Sequence, residues 1–321
     1  MLKAWMRVLT IKLTSKKFKK QLIFGENWKN GGIDLHISAS GTKFLSSMKD
    51  ECIVRITNLT YKEIVTIINS EFYDIEIITG YRNGNIFTVF KGGILYVSNE
   101  LGDRKSNDVI FICTNNLVAK YGQAKMNISL NSGINMYGAL KFITERAGIK
   151  NSFIDEKFKN IILRESEAQT ESITSWLDTL CNSQNLVANG DSSEGNDLSI
   201  WNPSISNSRV ITLKEDNIIL TGGYPTLDSE GLKLAIMPTI NLCPGDTIII
   251  DNSIIDIGTE NKDEAMKNIG QFLDRDGKYV IMEIDFNLEN RDSEFSYKIK
   301  ARAKSLWNRL GELYGWYENA K

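Results

Sequence analysis

Cys52-Ile53-Val54-Arg55-Ile56-Thr57-Asn58-Leu59 alternates buried-type and polar side chains, the pattern of a strand with one packed and one wet face. Thr60 follows at once, and Glu63 stands three residues further on. That spacing lets the two side chains cap each other's backbone N–H groups at the start of a short helix over Tyr61 to Asn69.

The neighbouring sequence extends the β reading on both sides. Upstream, Val8 to Leu13 is β-rich and ends at a Ser/Lys turn, followed by Gln21 to Phe24, a Gly31-Gly32 turn and Ile33 to Ser38. Downstream, Asp74 to Thr79, Ile86 to Val97 and Val109 to Thr114 are strand candidates, and Arg82-Asn83-Gly84-Asn85 has hairpin chemistry. Strands at this spacing with one helix predict a closed or nearly closed antiparallel barrel over residues 1–122.

The character then changes. Met136 to Ala147 has helical spacing and stops at Gly148, and Ser172 to Cys181 reads as a second amphipathic helix. A loop over Asn189 to Asp197 leads to a short strand, Leu198 to Trp201. Residues 123–208 are therefore expected to form small α/β modules. Strands return at Ile211 to Leu213, Leu232 to Ile236, Thr247 to Ile250, Tyr279 to Asn287 and Phe295 to Ala303, with turns at Gly231 and Pro244-Gly245-Asp246. A helix is expected over Met266 to Leu273. Residues 209–305 form the second expected barrel, and 306–321 an aromatic C-terminal arm. The expected class is mainly β with an α+β insert between two barrel lobes, without a residue-level repeat.

Composition narrows the chemistry. The 321 residues suit two or three modules, and a net charge of -2 gives no overall attraction to nucleic acid or anionic membrane. The local exception is Lys16, Lys17, Lys19 and Lys20, either a solvated hairpin tip or a docking patch for an acidic partner. Cys52, Cys113, Cys181 and Cys243 are far apart and form no CxxC pair, so they read as reduced, buried thiols rather than a zinc site or disulfide framework. The single histidine, His36, sits in an alternating stretch and reads as a strand residue. No HExxH, Walker lysine loop or GxSxG motif is present. Gly92-Gly93 and Gly222-Gly223 read as turns or bulges. Asp251, Asp256, Glu260, Asp263 and Glu264 do not fit a calcium loop and read as a solvated loop and helix start. The expectation is a structural protein with no catalytic, metal or cofactor site. Without a signal peptide or an apolar span of membrane length, it is expected to be made in a cytoplasm. Trp5, Trp28, Trp176 and Trp201 read as packing residues. Trp307, Leu310, Leu313, Tyr314, Trp316 and Tyr317 are candidate interface residues, in a segment either folded back on the last lobe or held by a neighbouring subunit.

The order of these elements resembles a known family. Cys52 to Thr60 looks like the strand-to-helix step of phage hub proteins. Ile75 to Tyr81 followed by Ile86 to Ile94 is similar to their Gly-Tyr hairpin, and Val109 to Asn115 to the next strand. Trp176 to Cys181 with Leu198 to Trp201 resembles their small helix-and-strand module. Leu220 to Pro225 and Gly231 to Leu234 come next. Met237 to Ile248, with its Pro-Gly-Asp turn, and Asp276-Gly277-Lys278-Tyr279-Val280-Ile281 resemble the closing lobe. The resemblance covers most of residues 1–305, departs at Lys91-Gly92, and does not reach the aromatic arm.

The family is the baseplate hub of contractile-tailed phages and related tail-like particles, whose members resemble a tail-tube fold used twice in one chain. It implies a homotrimer forming a pseudo-six-fold ring that adapts the hexameric tail tube to a trimeric central spike. The implied partners are the tail tube protein, the spike, the tape-measure protein and other baseplate proteins, with DNA only in transit through the lumen and no membrane binding. The implied location is the virion tail baseplate, assembled in the host cytoplasm. Two other readings stay open: another tail-tip structural protein, such as a distal tail component or secretion-spike base, and a wall-degrading or glycan-binding tail-tip module.

Overall fold

The computed structural model describes residues 6–25, 35–45, 50–69, 72–101, 107–122, 125–163, 165–183, 186–190, 196–202, 209–214, 220–221, 223–228, 230–257, 273–291 and 294–307. Its first lobe contains β1 (Arg7–Ser15), β2 (Lys20–Phe24), β3 (His36–Phe44), β4 (Glu51–Thr57), helix α1 (Tyr61–Asn69), β5 (Asp74–Tyr81), β6 (Ile86–Leu101) and β7 (Asn107–Asn115). The connecting region holds α2 (Asn116–Tyr121), β8 (Lys125–Leu130), α3 (Met136–Arg146), β9 (Ser152–Ile154), β10 (Glu167–Ser172), α4 (Ile173–Ser183), β11 (Val187–Asn189) and β12 (Leu198–Trp201). The second lobe is built from β13 (Val210–Thr212), β14 (Thr226–Asp228), β15 (Gly231–Ile236), β16 (Thr247–Ile249), β17 (Asp256–Ile257), β18 (Lys278–Glu289) and β19 (Phe295–Ala303).

The capping pair forms as its spacing predicts. The Thr60 N–H donates to Glu63 Oε2 at 2.8 Å, and the Glu63 N–H donates to Thr60 Oγ1 at 3.3 Å. Asn115 and Asn135 cap α2 and α3, accepting from Val118 N at 2.9 Å and Gly138 N at 2.7 Å. The alternation in β4 puts Cys52, Val54 and Ile56 inside, while Glu51, Ile53 and Arg55 point out.

The two lobes share one 14-stranded sheet, in the order β17-β14-β15-β19-β18-β3-β4-β7-β6-β5-β1-β2, with β16 and β13 attached beside β18. The joint is an antiparallel seam of β3 against β18, running from Phe44 opposite Glu283 to Ser38 opposite Glu289. β2 and β3 do not pair among the described residues, so no described strand pairing closes the first lobe. Its ends still meet at Gly25: φ is +88°, and an added Cβ would stand 2.1 Å from the Leu9 carbonyl oxygen and 3.2 Å from Ile37 Cδ1. Only glycine combines that φ with that approach.

One hydrophobic core runs through both lobes, with Leu13, Ile37, Val54 and Phe111 from the first and Ile248, Tyr279, Phe286 and Tyr297 from the second. Aromatic contacts cross the junction. Tyr81 meets Phe295 edge-on with centroids 5.5 Å apart, and Phe90 lies 6.4 Å from Phe286. The connecting region has a core of its own around Met136, Leu140, Phe158, Trp176 and Leu180. A small third cluster, Leu45, Val187, Val280 and Trp307, brings both lobes and the connecting region together.

One expectation changes. Gly92-Gly93 is not a turn but lies inside β6, paired with β5 and β7. An added Cβ would come 2.1 Å from the Thr114 carbonyl oxygen at Gly92 and 2.3 Å from Ala119 Cβ at Gly93; the glycines let α2 lie against the strand. His36 opens β3 as expected. The expected helix over Met266 to Leu273 falls outside the described residues except for Leu273, as do Trp5, Trp28 and the Gly31-Gly32 turn.

Candidate assembly surface

Because side chains alternate across a strand, the shared sheet presents one outward face across both lobes. The registers align a row on it: Ser296, Asn287, Ser40, Ile53, Ile112 and Tyr96, from β19 through β18, β3, β4 and β7 to β6. The row changes chemistry along its length. It is hydroxyl and amide around the seam, then apolar in the first lobe, where Ile53 is 49%, Ile112 41% and Tyr96 60% exposed.

Several charges beside the row are paired. Thr42 Oγ1 donates to Asp285 Oδ1 at 2.6 Å across the seam. Lys300 donates to both carboxylate oxygens of Glu283 at 3.0 Å, and this bond holds the Lys300 pKa above its ordinary value. Arg55 lies 2.9 Å from Asp108 and 3.8 Å from Glu100. Lys233 bridges Asp228 and Glu230, and these bonds raise its pKa. Exposed pairs like these contribute little to stability, and in them the carboxylates outnumber the cations. A shallow cleft of about 530 Å³ crosses the seam, lined by Thr42, Glu51, Asp285, Asn287, Ser296 and Lys298 among others.

Lys16, Lys17, Lys19 and Lys20 are exposed at the turn joining β1 to β2. Lys16 is bonded to Asp74 at 2.9 Å, and Lys17 stacks 5.3 Å from the Phe18 ring centre. Trp307 is 7% exposed and packs with Leu45, Val187 and Val280, so its side chain is spent inside this chain. Leu310, Leu313, Tyr314, Trp316 and Tyr317 lie outside the described residues.

The sequence reading missed Leu95, Tyr96, Ile53 and Ile112 as surface residues. A signal was present for Ile53, which is apolar at an outward phase of the β4 alternation.

The four cysteines are buried, free thiols. Burial pushes Cys113 up to about 12 and raises Cys52 and Cys181, holding all three as neutral thiols rather than nucleophiles. Among the described residues, no group of three or more His, Cys, Asp and Glu side chains could hold a metal ion, and no helix is long and apolar enough to cross a membrane.

No protein-family model matches the sequence, and no curated protein sequence matches it. Solved structures do match in three dimensions. The tail protein from Neisseria meningitidis MC58 superposes with a TM-score of 0.57 at 11% identity, over 95% of this chain and 98% of that one. This chain has a phage-tail-protein fold. The 43 kDa tail protein of prophage MuSo2 from Shewanella oneidensis gives a TM-score of 0.56 at 10% identity, over 94% and 98% of the two chains. The E. coli c3393 protein, a type VI secretion system component described as structurally similar to T4 bacteriophage tail proteins gp27 and gp5, gives 0.54 at 12% identity, over 85% and 75%. The tail-hub type of fold, mainly β with two tube-like lobes around an α/β region, is the one expected from the order of the sequence elements.

Proposed function

We propose that this chain is the structural hub of a tail baseplate: three copies close into a ring of six lobes, a tail tube docks on one side and a trimeric spike on the other. The observation that carries the reading is the β3–β18 seam. By joining two lobes edge to edge in one sheet, it makes each chain a double-width unit. Three double-width units imitate a hexamer on one side while keeping true three-fold symmetry on the other. The likeness to two tail proteins and a secretion-system component supports a structural role in a tail.

In this arrangement the outward face of the shared sheet lines the lumen. Its neutral hydroxyl and amide row and its paired charges suit a channel through which DNA and a tape-measure protein slide without being held. Residues 1–122 and 209–305 act as the tube-like lobes and 123–208 as the module between them. The exposed Lys16, Lys17, Lys19 and Lys20 turn is a contact for an acidic baseplate partner. The aromatic residues after Trp307 form an arm that a neighbouring protein holds.

The test is to image the purified protein alone and with its tail's spike, and to measure the particle mass. Three copies in a ring with a central opening is the expected result. A single copy under every condition sinks the proposal, and a six-copy ring turns it towards a distal tail component.

A further inference from the structure

Two cysteines that stand far apart in the sequence meet in the core of the first lobe. The β4–β7 register sets Cys52 directly opposite Cys113. Both side chains take the inward phase of their strands, in line with Val54 and Phe111, and both residues are 1% exposed. Their Cβ atoms therefore leave the sheet on the same side. Residues directly opposite in an antiparallel pair have Cα atoms about 4.5 or 5.5 Å apart, according to whether the pair exchanges hydrogen bonds. A disulfide takes Cα separations of about 4.4–6.8 Å, so either kind of site admits one. The thiols also act on each other electrostatically: after burial, Cys113 is the second cause of the raised pKa of Cys52. The other two cysteines lie elsewhere, Cys181 in the core of the connecting region and Cys243 beside Lys43.

We infer that Cys52 and Cys113 form a modification site, which hydrogen peroxide converts to a cross-strand disulfide stapling β4 to β7. One peroxide balances the chemistry. The first sulfur attacks a peroxide oxygen, the O–O bond breaks, and the leaving hydroxide takes the thiol's proton to become water. The second sulfur then attacks the resulting sulfenic acid. The S–S bond forms as the S–O bond breaks, and that hydroxide leaves as water with the second thiol's proton. Each sulfur is oxidised by one electron, and the peroxide is reduced to two waters. Burial keeps both thiols protonated, so the first attack is slow, and a reducing compartment keeps the pair open. Once made, the bridge closes a loop that holds α1, β5 and β6. Such a bridge stabilises mainly by restricting the unfolded chain. It sits in the middle of the shared sheet, between β3 and β6, on the opposite side from Ile53 and Ile112. The inference goes beyond the structural role proposed above and does not depend on it.

The experiment exposes the folded, full-length chain to hydrogen peroxide, removes the oxidant, and counts free thiols after unfolding, with peptide mapping by mass spectrometry. The untreated chain is expected to show all four thiols, and the treated chain half of them. The map should contain a peptide pair joined through Cys52 and Cys113, lighter than the separate peptides by two hydrogen atoms and parted by a reductant. The urea midpoint of the treated chain should rise and fall back when the reductant is added. Cys113→Ala, treated in the same way, should show no such rise. A treated chain that keeps every thiol overturns the inference. So does one that bridges other cysteines or other copies, or that carries Cys52 and Cys113 as sulfinic acids without a bridge. If Cys113→Ala fails to fold, the map of the wild-type chain alone decides.

Discussion

The ammonium of Lys43 donates to the backbone carbonyl of Val89 at 3.1 Å, with both residues inside the molecule. Lys43 occupies an inward position of β3, 1% exposed, and also lies 3.9 Å from Cys243 Sγ in the second lobe. Burial raises the phenol pKa of Tyr297 nearby, and the charge of Lys43 works against that rise. A cation thus sits at the junction where two lobes share a core. Lys43→Ala leaves a cavity and an unmatched carbonyl, and is expected to cost about 2–4 kcal/mol. Lys43→Met keeps the volume without the charge and should cost much less, since apolar replacements of buried ions are often neutral. Urea unfolding checks both, and equal losses would show that the ammonium bond to Val89, absent from both variants, matters rather than the packing.

Gly41 permits the seam. An added Cβ there would meet the Glu51 carbonyl oxygen at 2.4 Å and Phe286 Cζ at 2.7 Å. Gly41→Val must therefore push β4 or β18 away, with an expected loss of about 3 kcal/mol or more. Ser40→Ala, at the adjacent exposed position, should leave the melting temperature nearly unchanged. A Gly41→Val protein as stable as wild type would argue that β3 and β18 are held apart in solution.

The capping pair at α1 offers a milder test. Thr60→Ala removes the hydroxyl that accepts from the Glu63 N–H and is expected to cost about 1 kcal/mol. A calorimetric scan of the variant against wild type measures it.

Alkaline stability should follow the buried acids. Cys113 rises from 9.0 to about 12, while Tyr81 and Tyr279 each rise from 10.0 to about 12, burial being the main cause in all three. The folded chain keeps these protons in a range where the unfolded chain has lost them. Stability is therefore complete below pH 9 and falls as pH climbs from 9 towards 12. Urea midpoints at pH 8 and pH 10.5 should show the fall, and Cys113→Ala should make it shallower. An unchanged slope in that variant would mean that the thiol ionises equally easily in both states.

Much of the fold is written in local patterns. The alternation in β4, the Thr60–Glu63 spacing and the helical stripes at α3 and α4 each encode their element in a few neighbouring residues. β8 alternates as cleanly, with Ile128 and Leu130 inside, yet the sequence reading holds no strand there. The β3–β18 seam is not local. Its register depends on how two distant strands meet, and neither His36–Phe44 nor Lys278–Glu289 names the other. Lys43 also misleads, because a lysine at an inward phase reads as exposed. The assembly surface was harder still. The eye goes to the lysine run and the aromatic tail, whereas the exposed Ile53, Ile112 and Tyr96 stand on three different strands that only the registers bring into one row.

The seam also sets a clock on biosynthesis. Phe44 and Glu283 pair across roughly 240 residues of sequence, which a ribosome adding about 5–20 residues per second needs on the order of 10–50 s to produce. Throughout that interval the nascent first lobe shows an uncovered β3 strand to solvent, an invitation to premature pairing between polysome neighbours. Late arrival of β18 both completes the domain and withdraws the invitation. Chaperone demand during translation should therefore peak before the last two strands emerge, and a chain truncated ahead of Lys278 should aggregate through the very strand that the full-length protein hides.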